Sequence, residues 1–176
     1  MNLGSEDNKE DEFVLTAPDY IRNQIMARST IGALIEIIAN AKFEIVLSFP
    51  FINMDGELTE KTIIAALESA LKRNVIINII STGKSIQYIR SNIDLFKNKN
   101  IHFFRPKSNM DNDNQLGSHA KFCLTDSASV YIGSANLTWT GLINNFEMGI
   151  LLHGRLAKKV SKFWNLLIDE DLIMEV

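Results

Sequence analysis

The sequence contains only one cysteine, Cys123, in 176 residues. It therefore cannot form an internal disulfide bond, and it cannot assemble a metal site from four cysteine ligands. A chain without disulfides suits a reducing compartment, so we expect a cytoplasmic protein. Cys123 itself is predicted to be a small buried thiol rather than a second nucleophile.

Long apolar runs are also missing. No uninterrupted apolar segment is long enough to span a bilayer, and the acidic N-terminal segment lacks the basic start and apolar stretch of a secretory signal. The sequence has no internal repeat and no low-complexity linker. Because a chain of this length can bury most of its apolar surface around one core, we expect one domain and no membrane span.

An excess of positive charge is lacking as well, since the formal net charge is -3. The charges are unevenly placed, because residues 1–12 hold five acidic side chains and one lysine. Of the 18 basic and 21 acidic residues, 17 and 16 remain once this segment is set aside. We therefore expect a disordered acidic tail over residues 1–12 and a nearly neutral domain over residues 13–176.

The rest of the chain alternates between helical and strand patterns. Helical spacing of apolar residues predicts one long helix from Pro18 to about Asn40, and further helices over 59–72, 84–97 and 155–168. Segments rich in β-branched and aromatic residues predict strands over 44–52, 75–82, 101–104, 119–125, 130–136 and 147–153. Alternation favours parallel pairing, whereas the strands joined by residues 126–129 have hairpin spacing. The predicted fold class is α/β, a mixed sheet sandwiched between helices.

The predicted hairpin gathers the side chains that can do chemistry. Alternate residues of a strand share a face, so His119 and Lys121 point one way. Ser134 and Asn136 likewise share a face of the next strand. A symmetric four-residue turn would set Lys121 opposite Ser134 and His119 opposite Asn136. An imidazole, an ammonium, a hydroxyl and an amide would then meet on one patch.

These groups predict a phosphate site with a nucleophile beside it. Lys121 supplies positive charge, Ser134 and Asn136 supply neutral donors, and Gly133 leaves room for a substrate to approach the backbone. His119 can attack phosphorus if it is neutral and an acceptor holds its far nitrogen.

Four other polar residues are assigned by their context. Glu147 is the predicted acceptor for His119, because a carboxylate on one ring nitrogen fixes the tautomer. Asp126 could cap the turn or pair with a base, and a structural role is favoured over contact with substrate. His102 and His153 are predicted to be ordinary residues at strand ends, since neither stands in an H-x-K context.

The spacing H-x-K-x4-D-x6-G-S-x-N over residues 119–136 resembles the HKD signature of the phospholipase D superfamily. Glu147 stands where the small nuclease members of that family have a glutamate that orients the histidine. The resemblance implies a two-step displacement at a phosphodiester, in which one histidine attacks phosphorus and a second protonates the leaving oxygen. No metal ion or cofactor is required by this scheme.

The resemblance also bears on partners. The chain has one motif, so it resembles the short members in which two subunits form one active site, including small bacterial endonucleases. Nucleic acid is the preferred substrate, and residues 84–107, with six basic side chains against Asp94 alone, agree with it. Two alternatives stay open: a phospholipase or phosphatidyltransferase, and a weakly active nucleic-acid-binding subunit of a DNA-modification or defence complex.

Overall fold

The computed structural model describes residues 9–53, 58–107 and 118–176. The strands of this part of the chain are β1 (Glu12–Thr16), β2 (Arg28–Ser29), β3 (Glu44–Ser48), β4 (Ile52–Asn53), β5 (Ile76–Ile80), β6 (Ile101–Pro106), β7 (Phe122–Thr125), β8 (Ser129–Gly133), β9 (Leu137–Thr138), β10 (Glu147–His153) and β11 (Ile173–Glu175). The α-helices are α1 (Asp19–Gln24), α2 (Thr30–Asn40), α3 (Leu58–Lys72), α4 (Gly83–Asn92) and α5 (Arg155–Asp169). A 3-10 helix covers Asp94–Lys97 and a π-helical turn covers Thr140–Asn144.

Nine of the strands form one sheet in the order β11-β6-β5-β3-β7-β8-β10-β1-β2. The neighbours β3, β5 and β6 are parallel, as expected for strands joined through helices. From β3 through β7, β8 and β10 to β1 the pairing is antiparallel. The short strands β4 and β9 pair separately. The sheet is therefore mixed, as predicted.

Helices cover both faces of this sheet. On one face Ile45, Leu47 and Cys123 pack in a cluster with buried residues of α2, α3 and α4. On the other face Val46 and Phe122 pack in a cluster with α5. Fully burying an aliphatic side chain stabilises a fold by about 1.5–3 kcal/mol, so these two layers hold the strands in place. The predicted α/β sandwich and single domain are confirmed.

The single long helix predicted from Pro18 to Asn40 is wrong. The chain leaves the helix after Gln24, and Met26 adopts a left-handed backbone conformation with φ of 50°. A short strand, β2, then pairs with β1 before α2 begins. The Ser29 hydroxyl caps this second helix by accepting the N–H of Gly32, which supplies one of the partners that a helix start lacks. The spacing of apolar residues alone does not reveal such a break in a helix.

The register predicted for the β7–β8 hairpin is wrong by one residue. Thr125 pairs with Ser129, so the turn has three residues instead of four. Asp126 and Ser127 both adopt positive φ, of 53° and 56°, which shortens the turn. Lys121 consequently lies opposite Gly133, whose N–H donates to the Lys121 carbonyl at 3.2 Å. Beyond this pair the two strands separate.

The chain ends contribute more to the sheet than expected. Of the predicted acidic tail, residues 1–8 lie outside the described residues, whereas Glu12 already pairs with Leu151 in the sheet. The Asp11 carboxylate accepts the N–H of His153 at 3.1 Å. At the other end β11, which the sequence patterns did not predict, pairs antiparallel with β6.

Candidate active site

The predicted site residues, apart from Asp126, lie at one edge of the sheet, which we call the site edge. It comprises the carboxyl ends of β3 and β5, the starts of β7 and β10, and the end of β8. Antiparallel pairing brings these ends together, because β7 and β10 begin where β3 and β8 finish. His119 and Lys121 precede β7, Ser134 follows β8, and Glu147 opens β10.

Lys121 is a buried cation at this edge, with a relative accessibility of 9%. Its Nζ donates to the carbonyl oxygen of His119 at 3.2 Å and lies 3.4 Å from Nδ1 of the same residue. No carboxylate of the described residues forms an ion pair with it. A desolvated ammonium without an anion is costly, so the site has unmet capacity for a negative group.

The imidazole of His119 is exposed at the same edge. Among the described residues, the imidazole contacts Lys121, and the expected hydrogen bond from His119 to Glu147 is not formed. Glu147 instead accepts from the Ser134 hydroxyl through Oε2 and from Asn145 Nδ2 through Oε1, the latter at 3.0 Å. The carboxylate is thus held near the site by two neutral donors, of which Asn145 was not predicted. In the sequence, only the position of Asn145 in the NNFE segment before Glu147 could have indicated this contact.

Ser134 ties the end of β8 to β10. Its hydroxyl donates to Glu147 and accepts the N–H of Met148 at 3.1 Å, while its own N–H donates to the Met148 carbonyl at 2.9 Å. The hydroxyl proton expected for phosphate is therefore directed to Glu147 in this structure. A phosphate oxygen would have to replace Glu147 to receive it.

Asn136 contributes an unpaired polar group near the same edge. Its Oδ1 is buried and has no hydrogen-bond partner among the described residues. The π-helical turn packs against the backbone of Asn136, because a Cβ added at Gly141 would stand 2.6 Å from the Asn136 backbone carbonyl oxygen. Buried amide oxygens normally accept a hydrogen bond, so the unpaired Oδ1 indicates a position where a ligand could supply a donor. The predicted register would have placed Asn136 opposite His119, but the structure does not pair these two residues.

Gly133 makes room for a tyrosine ring instead of open space. A Cβ at this position would lie 2.2 Å from the Tyr131 hydroxyl oxygen, and one at Gly149 would lie 2.5 Å from a ring carbon. Gly133 and Gly149 are paired across β8 and β10, so Tyr131 lies over two adjacent glycines. Burial raises the pKa of Tyr131 to about 12, which keeps its hydroxyl protonated. Tyr131 was missed by the sequence patterns, although the facing glycines are its signal.

Asp126 lies at the opposite end of β7 and does not approach the site. Its carboxylate accepts three backbone N–H groups, from Lys42 at 2.8 Å, Phe43 at 2.8 Å and Glu44 at 2.9 Å. These residues link α2 to β3, so Asp126 fastens the hairpin turn to the start of a central strand. The geometry is that of a structural residue.

The remaining histidines and the cysteine lie elsewhere. His102, at the start of β6, contacts Glu175 at 2.7 Å, and His153, at the end of β10, contacts Ser129 at 2.8 Å. Both positions are at the edge of the sheet opposite the site edge. Cys123 is fully buried, and burial raises the pKa of its thiol. None of the three can act beside His119 within one chain.

The described residues, 9–53, 58–107 and 118–176, also bear on metal binding and on a membrane span. No group of three or more His, Cys, Asp or Glu side chains in that part of the chain could hold a metal ion. No helix there is long and apolar enough to cross a membrane.

Comparison with known proteins places this chain in a family. Residues 34–167 match the family model described as "Cardiolipin synthase, PLD-like domain". The chain therefore belongs to the phospholipase D superfamily.

Individual relatives are distant. The chain is 27% identical over 164 residues to the DISARM protein DrmC of Bacillus paralicheniformis, which covers 90% of this chain and 62% of that protein. It thus spans less than two thirds of that relative. Among solved structures it is similar to the phospholipase D family member Nuc from Salmonella typhimurium, with a TM-score of 0.63, 18% identity, and coverage of 95% and 99% of the two chains. It is also similar to phosphatidylserine synthase from Haemophilus influenzae, with a TM-score of 0.67 and 14% identity, but covers 39% of that chain.

Proposed function

We propose that the protein is a metal-independent phosphodiesterase that cleaves nucleic acid through a phosphohistidine intermediate on His119, with two copies of the chain forming one active site. The observation that carries the proposal is the buried ammonium of Lys121, which contacts His119 and has no carboxylate partner among the described residues. A phosphodiester supplies the missing anion and brings phosphorus to the imidazole. Lys121 then neutralises charge that a metal ion would otherwise neutralise.

The reaction has two displacements. In the first, a neutral nitrogen of His119 attacks phosphorus, a P–N bond forms, and the P–O bond to the leaving group breaks while a second histidine protonates the leaving oxygen. In the second, water attacks phosphorus, gives its proton to that second histidine and breaks the P–N bond. The products are a phosphomonoester and an alcohol, and both histidines return to their starting states.

The second histidine comes from a second copy of the chain. His102 and His153 lie at the opposite edge of the sheet and are engaged by Glu175 and Ser129. His119 is exposed, so the same residue of another copy can approach it. A two-fold axis through the site edge would supply both groups by symmetry.

Nucleic acid is supported by the placement of the basic residues. Arg90 and Arg105 line one surface groove beside α4. Arg90 stacks on Phe103, whereas Arg105 forms no ion pair within the described residues. Lys97 and Lys99 precede β6 and lie toward the edge opposite the site edge. The groove with Arg90 and Arg105 suits a run of phosphates better than a single lipid headgroup.

Similarity to the DISARM protein DrmC supports a role within a larger defence complex. The alternative is a phospholipase or phosphatidyltransferase, which would turn over phospholipid vesicles.

The proposal is tested by cleavage in the presence of EDTA. We expect the purified protein to cleave single- or double-stranded DNA or RNA at the same rate with and without the chelator, because Lys121 and not a metal ion stabilises the phosphate. Phosphatidylglycerol and phosphatidylcholine vesicles, assayed in parallel, should not be turned over. Activity that disappears in EDTA and returns with magnesium would contradict the mechanism, and turnover of vesicles alone would assign the lipid alternative.

A further inference from the structure

A second feature of the site edge is a small apolar cavity beside His119. Its volume is about 210 Å³, and it opens on the α5 face of the sheet. The apolar lining comes mainly from Ile80, Phe122, Phe163, Leu167, Leu172 and Ile173. The polar residues that reach it are His119, Ser48 and Ser118. The displacement reaction makes no use of this space.

We propose that this cavity receives one nucleobase next to the scissile phosphodiester, so that the substrate strand must be single-stranded or locally unpaired at the site. The inference rests on the proposed nuclease function and deepens it. His119 both lines the cavity and is the residue that attacks phosphorus. Whatever fills the cavity is therefore connected to the reacting phosphate through a short link, as a base is through its sugar.

The size of the cavity favours a base over a lipid chain. Pockets for drug-sized ligands occupy about 300–1,000 Å³, so a cavity of 210 Å³ holds one small ring system. Two long acyl chains would not fit. The lining suits a flat aromatic group, since the phenyl ring of Phe163 is 47% exposed and available for stacking.

The charge beside the cavity favours an occupant that is attached to a phosphate. The nearby cation is Lys121, whose Nζ lies 3.4 Å from Nδ1 of His119, a lining residue. Arg105 lies on the opposite face of the sheet, in the groove with Arg90. A strand with its base in the cavity can thus place the adjoining phosphate at Lys121. In a duplex the same base is stacked on both sides and cannot enter without being extruded.

Fluorescence titration tests this inference. The probe is a short thymidine strand with 2-aminopurine at alternate positions, free or annealed to its complement, in EDTA. All proteins carry His119→Asn to prevent turnover. Phe163→Ala removes the stacking surface, Leu172→Trp fills the cavity from its rim, and Phe43→Ala is the matched control, because Phe43 is 73% exposed and precedes β3 at the opposite edge.

We expect the parent protein to quench the probe in the single strand and to bind it more tightly than the duplex. Phe163→Ala and Leu172→Trp should each weaken single-strand binding about tenfold or more and abolish the quenching, whereas Phe43→Ala should change neither. Equal affinities for all variants, or tighter binding of the duplex, would overturn the inference. Cleavage by the wild type with unchanged binding in both cavity variants would refute the base site alone, whereas base binding without any cleavage would refute the proposed function alone.

Discussion

His119→Ala should lower the rate of phosphodiester cleavage by at least about a thousandfold, because it removes the nucleophile and, on the other copy, the acid. The imidazole is exposed and makes few contacts, so the free energy of unfolding should change little. Cleavage rates in EDTA and urea unfolding of the same preparation measure the two effects separately.

The matched control for this variant is His102→Ala. His102 is also a partly exposed histidine, but it lies at the opposite edge of the sheet against Glu175. Its replacement should leave the cleavage rate within about twofold of wild type, because nothing at the site edge depends on it. If His119→Ala kept more than a tenth of the activity, or if both variants lost it equally, His119 would not be the nucleophile.

Lys121→Met should change activity and stability in opposite directions. Methionine keeps most of the volume of the side chain but removes the charge that would neutralise phosphate, so the cleavage rate should fall about a hundredfold to a thousandfold. The free energy of unfolding should rise by about 1–3 kcal/mol, because a buried ammonium without an anionic partner is replaced by an apolar group.

Lys42→Met is the control, since Lys42 is exposed and lies far from the site edge. Both its rate and its stability should stay close to wild type, as is usual for surface substitutions. Lys121→Met that is both inactive and less stable would assign Lys121 a structural role and remove the main support for a phosphate site.

Much of the fold could be predicted because its signals are local. The strand at Glu147–His153 has the predicted bounds, and the helix that begins at Arg155 ends one residue beyond its predicted end. The break at Met26 and the three-residue turn at Asp126 could not be predicted in the same way. Both depend on non-glycine residues held at positive φ by the surrounding structure, and composition does not report such positions.

The site residues could be proposed despite the wrong register, because the motif spacing identifies them directly and the sheet brings all of them except Asp126 to one edge. Their contacts could not be proposed so well. Glu147 bonds to Ser134 and Asn145 instead of His119, and Tyr131 fills the space above Gly133. These contacts depend on where β8 ends and β10 begins, which is a tertiary property and not a sequence spacing.

The sharing of one site by two His119 side chains is measured most directly by mixing subunits. Equal amounts of wild-type and His119→Ala chains are allowed to exchange fully, and the cleavage rate in EDTA is compared with that of an equal total amount of wild type. Random pairing leaves about a quarter of the dimers with both histidines, so the retained rate should be about a quarter. A retained rate near one half, which independent sites in each subunit would give, would contradict the shared active site.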